Sequence, residues 1–122
     1  MKLVFVVLAL PLALCLGCGP GWVIEKAPID DVRLDVAGTS AVTVYIKGGL
    51  PNSCYQFDNI KSTREGDTFT LTVTIKRPND DRICAQIYGS FEKAVNLEPP
   101  LTPGKTYTLQ VNDYTTSFSI PG

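Results

Sequence analysis

From Ile29 onward, apolar residues recur at every second position. Val32, Leu34 and Val36 alternate with charged or polar neighbours, and Val42, Val44 and Ile46 repeat the pattern after Gly38-Thr39-Ser40. A period of two belongs to a strand with one face in a core and the other in water, so each run predicts a half-buried strand. Gly48-Gly49-Leu50-Pro51-Asn52 breaks the run, and Cys54 to Lys61 predicts a third strand carrying Tyr55, Phe57 and Ile60. Glu65-Gly66 then predicts a tight turn that sets Arg64 opposite Asp67. The clearest strand follows, with Phe69, Leu71, Val73 and Ile75 on one face and Thr68, Thr70, Thr72 and Thr74 on the other.

Arg77-Pro78-Asn79-Asp80-Asp81-Arg82 ends that strand. Cys84 to Tyr88 and Phe91 to Leu97, divided at Gly89, predict at least one more before the proline-rich crossing from Glu98 to Gly104. At the C-terminus Tyr107, Leu109 and Val111 lead through Asn112-Asp113 into Tyr114, Thr116, Phe118 and Ile120. A two-residue loop there pairs Val111 with Tyr114, Leu109 with Thr116 and Tyr107 with Phe118, which puts the larger side chains on one face. About seven short strands, with no stretch of helical period, predict an all-β fold: an antiparallel, immunoglobulin-like β-sandwich.

The N-terminus follows a different rule. Lys2, the apolar run Leu3 to Leu16 and the small Gly17 before Cys18 resemble a bacterial lipoprotein signal peptide. The resemblance implies cleavage after Gly17 and lipid on the Cys18 sulfur, although Cys15 occupies the place where leucine is preferred. A spanning helix is disfavoured because the run is shorter than the ~18 residues required and contains Pro11. Ordinary cleavage after Gly19 would leave Pro20 at the new terminus, and Leu14 is too large to precede a lipidated Cys15. The expected organisation is a signal peptide over 1–17, a lipid-anchored tether over 18–28 and a β-sandwich over 29–122. Trp22, within that tether, either rests at the membrane interface or packs back on the domain. Localisation is then the cell envelope, facing the periplasm or exterior, with free secretion as the alternative.

Composition narrows the chemistry. In 122 residues there are 11 Lys and Arg against 12 Asp and Glu, without a basic block, which argues against nucleic-acid binding. The chain has no histidine, which removes Ser-His and Cys-His nucleophiles and the usual nitrogen-rich metal sites. No cofactor or metal is expected, and the protein is read as not an enzyme. Once Cys15 leaves with the signal and Cys18 takes lipid, Cys54 and Cys84 remain as a pair in an oxidising compartment, and a disulfide between them is the economical reading.

Several short strings resemble a group of small bacterial secreted or lipid-anchored β-sandwich domains. They are Gly48 or Gly49 with Leu50, Pro51 and Cys54, then Arg77-Pro78, Cys84-Ala85-Gln86, Phe91-Glu92, Pro103-Gly104 with Tyr107, and Val111-Asn112. The resemblance implies the sandwich and the disulfide and brings no activity with it. The expected role is a non-catalytic binding or accessory module, held to the membrane by Cys18, with an undefined protein or glycan partner. Its candidate binding loops are Gly48 to Ser53, Arg77 to Arg82 and Glu98 to Lys105. Two alternatives accompany it, a purely structural envelope component and a protease inhibitor. Immunoglobulin-like domains similar to chagasin wedge three loops into cysteine proteases. Here the Gly48-Gly49 and Arg77-Pro78 segments would serve, but that family's Asn-Pro-Thr loop is missing.

Overall fold

The computed structural model describes residues 21–38 and 41–121. Cys15, Cys18 and the signal-peptide reading lie outside the described residues. Eight strands form: β1 (Trp22–Lys26), β2 (Ile29–Ala37), β3 (Ala41–Leu50), β4 (Gln56–Glu65), β5 (Thr68–Pro78), β6 (Gly89–Asn96), β7 (Thr106–Val111) and β8 (Tyr114–Ser119). β2, β3 and β6 make a three-stranded sheet, and the other five strands make the second. The alternating runs produce this layering because each sheet hides one face in a shared core. Phe69, Leu71, Val73 and Ile75 are wholly buried, and from the facing sheet so are Val42, Val44 and Ile46. Phe69, Tyr107 and Phe118 pack as an aromatic cluster with ring centroids 5.6 to 6.2 Å apart.

β5 organises the larger sheet. Along one edge it pairs with β4; along the other, Thr74 to Pro78 pair with β1 and Thr68 to Leu71 pair with β7. The β5–β7 pairing is parallel, and the other pairings among the described strands are antiparallel, as expected for the sandwich. The hairpin of β7 and β8 has the expected register, Val111 opposite Tyr114 and Tyr107 opposite Phe118.

Three expectations are corrected. Trp22–Lys26, read as part of a tether, is a strand bound to β5 from Trp22–Pro78 to Lys26–Thr74, so the sandwich begins before Ile29. The short run Val23-Ile24 carried too few alternations to be recognised. Glu65 pairs with Thr68 and Arg64 with Phe69, which makes Gly66-Asp67 the turn and separates Arg64 from Asp67. Gly66 takes the left-handed conformation at φ 62° that glycine permits, and Asp67 pairs instead with Lys105 at 3.1 Å. Finally, Cys54 and Tyr55 precede β4, which begins at Gln56; the further strand expected between Cys84 and Leu97 is β6, with Cys84 to Tyr88 outside it.

Candidate functional site

Asn112 closes a gap in the sheet that backbone alone leaves open. β1 and β7 occupy the same edge of β5 without meeting, so Val73 between them lacks a complete partner strand. The Val73 N–H donates to Asn112 Oδ1 at 2.9 Å, while Asn112 Nδ2 donates to the Val73 carbonyl at 2.9 Å and the Ala27 carbonyl at 2.8 Å. The side-chain amide thus stands in for a peptide unit. It is buried, and its backbone holds φ 50°, a conformation asparagine tolerates better than most residues. The Val111-Asn112 string therefore has an architectural basis.

The disulfide joins Cys54 to Cys84 across 30 positions with Cα atoms 5.4 Å apart. It ties the segment 79–88 to the entry of β4. Beside it the Ser53 N–H donates to the Ala85 carbonyl at 3.0 Å, and the Ala85 N–H donates to Ser53 Oγ at 2.8 Å. Within the segment Arg82 forks onto Asp80, with Nη2 at 2.7 Å from Oδ2, and this guanidinium holds the Asp80 carboxyl below the ordinary carboxylate range. The Asn79 N–H donates to the Gly21 carbonyl at 2.9 Å, so the start of β1 belongs to the same end. Trp22 and Ile83 line one open cleft there, together with Tyr55 and Arg82. The Tyr55 hydroxyl donates to Glu25 at 2.8 Å, and that bond, reinforced by burial, raises its pKa.

Gly48 and Gly49, expected in a binding loop, lie inside β3 and are buried. Side chains there would collide with the Phe91 ring and the Tyr88 hydroxyl, which lie across the two glycines. The Tyr88 hydroxyl donates to Asp30 at 3.1 Å, and partial loss of water around the hydroxyl, followed by that bond, raises its pKa. Covered by rings, the pair offers no loop for the protease wedge.

The third predicted loop lies elsewhere. Arg64 stacks over Phe69 at 4.7 Å and donates through Nη1 to the Glu98 carbonyl at 3.0 Å and the Pro100 carbonyl at 2.7 Å. Leu101 is buried beneath the crossing, and Thr102 N–H donates to the Tyr107 hydroxyl. This crossing sits by the start of β5, whereas Pro51 to Ser53 and Arg77 to Arg82 sit by its end, roughly 33 Å away at strand rise. The three predicted loops do not make one surface.

A continuous polar surface does exist on the outer face of the smaller sheet. Register aligns Arg33, Tyr45 and Ala94 in one row and Asp31, Lys47 and Glu92 in the next. Arg33 lies over the Tyr45 ring at 5.1 Å, and the small Ala94 leaves a trough of about 370 Å³ beside them. Among the described residues neither Asp31 nor Glu92 closes an ion pair with Lys47. The trough therefore offers both charge signs and a partly exposed aromatic. Sequence reasoning missed it because these residues are the ordinary polar half of alternating strands; only cross-strand register assembles them. No group of three or more His, Cys, Asp or Glu among the described residues is placed to hold a metal ion. No described helix is long and apolar enough to cross a membrane.

Comparison with known proteins agrees with this architecture. The uncharacterised 10.2 kDa protein in the HgiBIM 5′ region of Herpetosiphon aurantiacus is 38% identical over 72 residues, covering 59% of this chain and 85% of that protein. A second from the same organism, in the HgiCIIM 5′ region, is also 38% identical over 72 residues, covering 59% of this chain and 74% of its own. No solved structure matches. The ORF11 beta-sandwich domain model matches residues 44–120, from within β3 through β8. By that match and by its two-sheet fold, the chain belongs to the ORF11 beta-sandwich domain family.

Proposed function

We propose that this protein is a non-catalytic binding or accessory module of the cell envelope, anchored by lipid on Cys18 and presenting the trough of β2, β3 and β6 to a polar partner. The observation that carries the binding reading is the pair of rows Arg33–Tyr45–Ala94 and Asp31–Lys47–Glu92. Charges that close no ion pair among the described residues, beside an aromatic face and a depression, suit a ligand rich in hydroxyl or amide groups. Export is supported by Lys2, Leu3 to Leu16 and Gly17-Cys18, and by a Cys54–Cys84 disulfide of the kind that persists outside the cytoplasm.

Affinity capture from envelope extracts, comparing wild type with Tyr45→Ala and Arg33→Ala, tests the binding reading. A saturable partner retained by wild type and lost by both variants is the expected result. Equal capture by all three refutes a role for the trough.

A further inference from the structure

The end of the sandwich that carries the disulfide exposes several large apolar side chains beside its charged ones. Ile83 is 97% exposed and Ile87 67%, in a segment that forms no strand; Tyr88 follows at 57%. Trp22, 48% exposed, shares a cleft with Ile83, and Lys76 lies 4.5 Å over its ring. The isoleucines are not loose decoration. The disulfide at Cys84 and the Ser53–Ala85 bonds fix the segment between them to β4 and its entry. A rigid, projecting apolar tip beside an aromatic and a basic residue has the composition of a surface seated in a lipid interface.

Chain length supplies the occupant. Three peptide units separate Cys18 from Gly21, a span of at most ~11 Å. Gly21 is in turn hydrogen-bonded to Asn79, at the base of the isoleucine-bearing segment. A lipid on Cys18 would thus keep this end of the sandwich close to the headgroups.

We propose that Trp22, Ile83 and Ile87 form a second membrane contact, with the isoleucines entering the acyl boundary and Trp22 at headgroup level. The contact rests on the lipid-anchor reading and deepens it. It orients the domain: the sandwich end is seated on the bilayer, and the outer face of β2, β3 and β6 stands along its side, clear of lipid.

Trp22 is the chain's one tryptophan, so its fluorescence reports this surface alone. The test uses the processed protein purified from its native membrane and reconstituted in phosphatidylcholine–phosphatidylglycerol vesicles with brominated acyl chains. Intact mass is measured on the same preparation. Trp22 should lose most of its emission to bromine, and Ile83→Asp with Ile87→Asp should restore it while the protein remains lipidated and vesicle-bound. A lipidated protein whose emission bromine does not touch overturns the second contact and leaves the anchor standing. Blue-shifted but unquenched emission means that protein, a second copy or another chain, covers the surface, and also overturns it. A mass without lipid on Cys18 overturns the anchor and the contact together.

Discussion

Replacing Asn112 should destabilise the domain far more than a turn residue normally does. Its amide satisfies the Val73 N–H, adds a second bond to the Val73 carbonyl and provides one to the Ala27 carbonyl. After truncation the Val73 carbonyl keeps the Ala27 N–H at 2.9 Å, but the Val73 N–H and the Ala27 carbonyl lose these partners in a buried setting. Each unsatisfied buried group costs about 1–3 kcal/mol, so with two such groups Asn112→Gly should lose about 2–6 kcal/mol. Asn112→Ala adds the left-handed backbone penalty at φ 50°, about 1–2 kcal/mol more. Asn112→Asp keeps an acceptor for Val73 but turns a carboxylate oxygen toward two carbonyls, and should fall below the glycine variant. Urea denaturation monitored by Trp22 fluorescence checks the order, with midpoints moving and the slope unchanged. If Asn112→Ala unfolds within about 0.5 kcal/mol of wild type, as a plain surface site would, the amide is not closing the sheet.

Three further outcomes follow from the same geometry. Arg64→Ala should lower stability by about 1–3 kcal/mol in urea, and Arg64→Lys should recover little of it, because only the guanidinium reaches both the Glu98 and Pro100 carbonyls while covering Phe69. Cys54→Ser with Cys84→Ser should cost about 3–4 kcal/mol by loop entropy, read as a drop in the urea midpoint that added reductant no longer deepens. Asp80 should titrate below the ordinary carboxylate range by NMR and return to it in Arg82→Gln. Because its folded pKa is depressed, its contribution is present above the unfolded value and fades as pH falls through the folded one.

How much of this was legible follows from what each signal depends on. The core of β5 and the C-terminal hairpin were readable because burial of one face imposes a period of two, and a two-residue loop then fixes register. The Cys54–Cys84 pair was readable by counting thiols against compartment. β1 was not, since its pairing to β5 depends on residues some fifty positions away and its own alternation is brief. Gly48-Gly49 read as a loop because glycine marks turns more often than it marks a place where a ring crosses a strand. Asn112 read as turn chemistry for a similar reason: its turn position is local, but its buried partners at Ala27 and Val73 are distant in sequence.

The proposed lipid on Cys18 would fix both where the domain works and which end meets the membrane, so its direct observation weighs most. Intact-mass and N-terminal peptide analysis of the protein from its native host should find a chain beginning at Cys18 and carrying a diacylglycerol-sized adduct on that residue. An unmodified N-terminus at Cys18 or beyond contradicts the account.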